Sequence, residues 1–259
     1  MKTIVLFRMV PDIVEELEVA SDGKSLDREY LRLMLADADN HALEQALIIK
    51  ERHGGTITVL GEDEPGMEET LFSALCKGAD RAIKLNSSPQ AGTHARAHWI
   101  SKGIRETPDL LPADLIITGA QAIDDLDGLL APMLAQFLDL PFLGTITRLD
   151  VNPATGAGTA LREFAGGVRG EYEIKVPVVI GVQAAEKPPR YVPVAKLRTI
   201  MKSRRLEAVQ ISDGPWIFPV SEIRSMMKPQ ETTQAEMLAG SPDEVAAKLA
   251  GALLAHGLM

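Results

Sequence analysis

The sequence is poor in the groups that most enzyme chemistry needs. It holds one cysteine, five histidines and only 4% aromatic residues. A single thiol cannot close an intrachain disulfide, so a reducing compartment is expected. Cys76 lies in "LFSALCKGAD", on a helical face with Leu71 and Leu75, and reads as a packing residue. So few aromatics argue against a stacking platform for single-stranded bases. Lys and Arg number 27 against 36 Asp and Glu, a net charge of −9, so no general nucleic-acid surface is expected. No apolar run approaches the ~20 residues that span a bilayer, which argues against direct membrane insertion. "MKTIVLF" enters a strand-like run at once, with no apolar leader, cleavage site or Arg-rich presequence, and a cytoplasmic location is expected. Nucleophile elbow, zinc-protease pair, C-x-x-C, P-loop and G-x-G-x-x-G are all missing. Their absence points to a binding or carrier module rather than an enzyme.

What is present is an alternation of strands and helices. Thr3–Phe7, Thr56–Gly61, Arg81–Leu85 and Leu115–Thr118 are apolar or β-branched runs of strand length. Between them lie a helix that Asp39 is expected to cap, with Ala42, Leu43, Ala46, Leu47 and Ile49 inward, a helix over "MEETLFSALCKG", and one over 91–106. This order predicts an α/β fold: a mainly parallel sheet with helices on both faces and right-handed crossovers. From Gly144 to Gln183 the helical period disappears. Four short strands separated by Gly-rich turns predict an antiparallel meander that extends the sheet. Residues 1–183 are thus expected to form an α/β core with a β meander, 184–211 a basic recognition loop, and 212–259 a C-terminal arm. The arm ends in a helix with Ser241 as cap, Pro242 as first helical residue and Glu244 completing a capping box.

Three groups of residues carry candidate chemistry. His94 and His98 are four apart on one helix, a spacing that can chelate a metal, but nothing local supplies a third ligand, and a solvated helix face is the preferred reading. In "TGAQAIDDLDGLLAPMLAQFL", Thr118–Leu138, a strand empties into a turn bearing Asp124, Asp125 and Asp127, and then a helix begins near Pro132. That places Asp124–Leu130 over the C-terminal edge of the sheet, where open α/β folds bind ligands. The acids there can serve as general acids or metal ligands, or they can terminate the strand and cap the helix; the structural role is preferred. The third group is "EKPPRYVPVAKLRTIMKSRRLE". Apolar Val192, Val194, Leu197, Ile200 and Met201 interleave with Arg190, Lys196, Arg198, Lys202, Arg204 and Arg205 in a chain that is otherwise acidic. An exposed apolar anchor ringed by charge suits a transient protein contact.

These stretches together resemble one family, the β subunit of electron transfer flavoprotein, including its nitrogen-fixation-linked relatives. "FRMVPD", Phe7–Asp12, is similar to the family's Val-Lys-x-Val-Pro-Asp at the end of the first strand. "ETLFSALCKGADRAI" resembles its E-T-x-x-x-A-L-x-x-G-A-D-R-x-I, and "GAQAIDD" its G-x-Q-A-I-D-D. "PPRYVPVAKLRTIMKSRR" resembles P-R-Y-x-x-L-P-x-I-M-K-A-K-K, and "LREFAGG" the R-E-x-x-G-G of the meander. The likeness runs in order over residues 1–210.

The resemblance implies a heterodimer with an α subunit that holds most of the FAD. It also implies electron delivery from a flavin-dependent dehydrogenase, of acyl-CoA type, to a quinone oxidoreductase or another acceptor. The β subunit of the family closes over the flavin and in many members binds AMP or a second FAD. Here the corresponding site is a degraded one formed by Phe7, Asp39, Gly119, Gln121, Ala122, Asp124, Gly128, Leu130 and Ala131. Leu129, Leu130 and Ala131 stand where the family has Gln-Thr-Gly or Gln-Val-Gly, whose hydroxyl and backbone N–H groups meet the phosphate, so only backbone donors are left, and Ala36-Asp37-Ala38-Asp39 replaces its Asn-Pro-x-Asp. Weakened or lost binding of AMP or a second FAD in this subunit is therefore expected. The docking segment implied is Arg190, Tyr191, Val194, Lys196, Leu197, Arg198, Met201 and Lys202. Its stretch Val192–Thr199 is longer than the family's, so the anchoring leucine falls on Val194 counted from Tyr191 or on Leu197 counted back from Ile200. Leu197, the larger side chain, is the expected anchor, at ~0.8 kcal/mol per buried methylene. The alternative function is a stand-alone adenine-nucleotide-binding protein resembling the universal stress proteins, but the Gly-rich phosphate stretch of that family is missing after the fourth strand.

Overall fold

A computed structural model describes residues 1–86, 92–125, 127–211, 223–229 and 235–258. The core strands are β1 (Lys2–Phe7), β4 (Thr56–Glu62), β5 (Arg81–Asn86), β6 (Leu115–Gly119) and β10 (Val178–Val182). A small antiparallel pair, β2 (Met9–Pro11) and β3 (Leu33–Leu35), stands apart from them. The remaining strands are β7 (Phe142–Val151), β8 (Ala157–Glu163), β9 (Arg169–Lys175) and β11 (Glu207–Gln210). Nine strands form one sheet in the order β11-β5-β4-β1-β6-β10-β7-β8-β9.

The central strands are buried along their length because helices cover both faces, which is why they read as unbroken apolar runs. Alternate residues of β1 serve opposite layers: Val5 and Phe7 pack with α1 (Asp37–His53) and α2 (Met67–Lys77), through Leu43, Leu47 and Leu71. Ile4 and Leu6 pack with α3 (Thr93–Glu106) and α4 (Leu130–Leu138), through Trp99, Ile104 and Leu134. Gly78 closes α2 at φ 127°, its N–H donating to the carbonyl oxygens of Ala74 and Leu75, as the glycine in the sequence predicts.

Four details differ from the sequence expectation. Asp39 does not cap α1; Ala36 occupies that position and Asp39 is the third helical residue. Only β7, β8 and β9 form the antiparallel meander. The fourth strand, β10, returns to the core and pairs parallel with both β6 and β7. Segment 184–211 is not all loop: it forms a helix, α5 (Val194–Ser203), and then edge strand β11, which pairs parallel with β5. An Arg81–Glu207 fork, at 2.6 and 2.8 Å, fastens that edge.

The capping box of α6 (Pro242–Ala255) forms as expected: Ser241 Oγ accepts from the Glu244 N–H while Glu244 Oε2 accepts from the Ser241 N–H. No residue of α6 is buried. Segment 223–229 is tied to the loop after β2 by Lys228, which bridges Glu16 and Glu18, and by the Met226 N–H donating to the Gly23 carbonyl. No helix among the described residues is long and apolar enough to cross a membrane.

The contrast between the buried α1 face and α6 is measurable. Leu43→Ala, at a fully buried position, is expected to cost about 2–5 kcal/mol in urea denaturation. Leu249→Ala, at a position 51% exposed on α6, is expected to stay within about 0.5 kcal/mol.

Candidate functional site

The C-terminal ends of β1 and β6 meet the start of α1 at one carboxylate. Asp39 is fully buried; its Oδ2 accepts the Arg8 N–H at 2.9 Å and its Oδ1 accepts the Gly119 N–H at 2.7 Å. The approach is close enough to require glycine: a Cβ on Gly119 would lie 2.5 Å from Asp39 Oδ1 and 2.8 Å from Ala38 Cβ. Arg8 follows β1 directly and is buried beneath the turn after β6. Its Nη1 donates to Asp125 Oδ2 at 3.2 Å, and its Nε lies 3.7 Å from Asp39 Oδ2. Burial alone lowers the guanidinium pKa, but Asp39, Asp125 and Asp124 outweigh it and raise it. Burial pushes the Asp39 carboxyl above its ordinary range, opposed by Arg8 and the two backbone N–H donors.

The turn Ala120–Gly128 folds back on itself. The Asp125 N–H donates to Ala122 O and the Gly128 N–H to Asp125 O, each at 3.0 Å, with Gly128 at φ 63°. The three acids of the turn do not cap α4: Leu129 is at its N-cap and no side chain caps it. Asp125 pairs instead with Arg8, and Asp124 and Asp127 are exposed.

Beside the turn lies a cavity of about 460 Å³ lined by Val10, Ile13, Met34, Ala36, Gln121 and Ile123, among others. No cationic side chain is among the described residues that line it. Phe7 faces the core, and Leu130 and Ala131 are on the buried face of α4, so none of the three presents a side chain to a ligand. Gln121 is exposed and Ala122 buried.

These facts test whether the family's phosphate fits here. The N–H groups of Gly119 and Gly128 are already engaged, and that of Met133 bonds to Leu129 O. Pro132, third in α4, has no N–H, so one of the first-turn donors that make a helix start an anion site is missing. The buried acids outnumber Arg8. The residues present do not fit a phosphate well.

His94 and His98 pack on Phe137, with ring centroids 5.5 and 5.0 Å apart, rather than forming a solvated face. Among the described residues no group of His, Cys, Asp or Glu could hold a metal ion.

The second candidate region is the segment that carries α5. Arg190 is folded onto α1, forked onto Glu44 and paired with Glu51 at 2.7 Å. Lys196 donates to the Cys76 carbonyl at 2.7 Å, tying α5 to the end of α2. Tyr191, Val194 and Met201 stand 81%, 53% and 43% exposed, with Arg198 and Lys202 exposed beside them. Leu197 is half-buried. Sequence reasoning missed Arg8 and Glu44, whose partners are distant along the chain; a lone basic or acidic residue within an apolar segment was the only available signal.

A family model described as electron transfer flavoprotein domain matches residues 25–214. The electron transfer flavoprotein subunit beta of Methylophilus methylotrophus is 28% identical, covering 96% of each chain. That of Bacillus subtilis (strain 168) is 29% identical, over 98% of this chain and 97% of its own. The protein FixA of Azotobacter vinelandii is 33% identical over 65% of this chain and 61% of its own.

The Arg8 cluster makes a signed prediction. Arg8→Met leaves two carboxylates buried without their cation and is expected to cost about 3–5 kcal/mol at neutral pH in denaturant melts. In the variant, Asp39 titrates above its unfolded value, so ionising it in the folded state is penalised. The deficit relative to wild type should therefore shrink as pH falls towards the Asp range; a pH-independent deficit would contradict the pairing.

Proposed function

The chain belongs to the electron transfer flavoprotein family, and on that premise we propose that it is the β subunit of a heterodimeric electron carrier. Its partner is an α subunit that holds most of the FAD. The carrier takes electrons from a flavin-dependent dehydrogenase, of acyl-CoA type, and passes them to a quinone oxidoreductase or another acceptor, in the cytoplasm. The observation that carries this reading is the match to β subunits along nearly the whole chain. The sequence carries none of the common catalytic motifs, which suits a carrier rather than an enzyme. The arm 212–259, with its uncovered α6, suits the α subunit.

In this reading the edge formed by Gly119, Gln121, Ala122, Asp124 and Gly128 is a retained scaffold whose nucleotide site has decayed. Asp39 and Arg8 hold the strand ends and helix start together, while Leu130 and Ala131 have been recruited to the core. Like charge and missing donors disfavour a phosphate. FAD on the α subunit would supply the redox chemistry when bound; this subunit covers it.

Docking of the dehydrogenase falls to α5 and the residues before it. Exposure favours Val194 over Leu197 as the apolar anchor, with Tyr191 and Met201 beside it and Arg198 and Lys202 as the charged rim. Arg190 and Lys196 serve as tethers to the subunit's own helices.

Denaturing the purified heterodimer and quantifying released nucleotides tests the cofactor assignment. About one FAD per heterodimer and no stoichiometric AMP are expected; stoichiometric AMP, or a second FAD, contradicts the decayed site, and no FAD at all contradicts the carrier. In steady-state assays with the dehydrogenase, Val194→Ala should raise the KM for the heterodimer by about fivefold, since a truncated hot spot costs more than 1 kcal/mol. An unchanged KM would remove Val194 from the docking surface.

A further inference from the structure

The proposed docking segment is held by a buried carboxylate. Glu44 lies in the middle of α1 and is 3% exposed. Its Oε2 accepts the backbone N–H of Arg190 at 2.9 Å and Nε at 3.0 Å; its Oε1 accepts Nη2 at 2.8 Å and Nε at 3.1 Å. Both oxygens thus serve a single residue, in main chain and side chain together. Burial raises the Glu44 carboxyl, but Arg190 more than compensates and holds it below its usual value.

Stability alone is a weak reason for such a pair, because a buried ion pair often does no better than apolar side chains of the same volume. Its place in the chain supplies a better one. Arg190 sits in Pro188-Pro189-Arg190-Tyr191-Val192-Pro193, where three prolines already fix much of the backbone. Tyr191, 81% exposed, follows at once, and Val194 opens α5 three residues later. Fixing the Arg190 backbone therefore sets where the exposed apolar row begins, and Lys196 on the Cys76 carbonyl sets its far side. A surface ordered before encounter avoids the cost of ordering side chains and loop on binding.

We propose that Glu44 is a positioning residue for recognition of the dehydrogenase: through Arg190 it pre-orders Tyr191 and the start of α5. This rests on the assignment of α5 to docking. Glu44→Gln keeps the volume and loses the charge and one strong acceptor. In the heterodimer, with an acyl-CoA dehydrogenase that reduces the wild type as electron donor, it should raise the KM for the heterodimer about five- to tenfold. The kcat and FAD content should remain near wild type, while Tm falls modestly, because the ionised Glu44 held by Arg190 stabilises the fold. Arg190→Gln, which also loses the Glu51 pair, should do at least the same, and the double variant should be no worse than Arg190→Gln alone, since Glu44 acts through Arg190. Where Glu44→Gln does not assemble with the α subunit, Arg190→Lys, which keeps the charge but loses the fork, gives the same measurement.

The outcomes separate cleanly. If Val194→Ala raises the KM and Glu44→Gln does not, the docking surface stands and the positioning role is overturned. If neither does, both are overturned. If Glu44→Gln lowers Tm and FAD content in step with activity, the residue is only structural and the proposal is likewise overturned.

Discussion

The edge of the sheet depends on one carboxylate. Asp39 is fully buried and accepts from the N–H groups of Arg8 and Gly119, so the ends of two adjacent parallel strands and the first turn of α1 are fixed to one another. Burying a charge at a helix start is tolerated because two backbone donors, the helix dipole and a buried guanidinium all face it. The same arrangement determines what the edge can bind. The N–H groups of Arg8 and Gly119 are turned inward onto Asp39, and the acid-rich turn above Arg8 leaves the locality negative.

Helix α1 repeats this device along its length. Asp39 ties the strand ends, Glu44 ties Arg190 and the docking segment, and Gln45 donates to the Leu149 carbonyl on β7 at 2.9 Å while accepting from the Glu186 N–H at 3.3 Å. Three buried polar residues on one apolar helix thus each hold a segment that arrives from far along the chain. Hydrophobic burial places the helix on the sheet; these directional bonds decide which loop reaches which end. The turn after β6 and the segment that leads into α5 are therefore attached to one rigid element.

The sequence made the parallel core legible because its signals are local. Apolar runs of strand length, helix faces of 3.6 period and the terminal Gly78 lie within a few residues of one another, and Ser241-Pro242-Asp243-Glu244 announces a capping box whatever it packs on. The position of β10 was not legible: a five-residue apolar strand reads the same in a meander as between two parallel neighbours, and only its partners decide. Helix α5 was concealed because it is short and directly follows a proline-rich stretch, although Val194, Leu197, Ile200 and Met201 recur at helical spacing. The roles of Arg8, Asp39 and Glu44 are set by pairings 31, 117 and 146 residues apart, beyond any local pattern. Asp39 read as a cap because an acid before an apolar period usually is one. The family motifs point to a stretch of chain, but the partners of its backbone donors, such as Asp39 for the Gly119 N–H, are set by the fold.

What the chain lacks in chemistry it makes up in surfaces: an uncovered C-terminal helix, an apolar cavity at the strand ends and a tethered helix with an exposed apolar row. The decisive measurement is stopped-flow absorbance of the chain co-purified with its α subunit and mixed with reduced dehydrogenase. The account predicts a yellow heterodimer whose flavin band bleaches on mixing, and no such signal from the chain by itself. A chain that stays monomeric in the presence of the α subunit, or a yellow heterodimer whose band is unchanged by every reduced dehydrogenase offered, would contradict it.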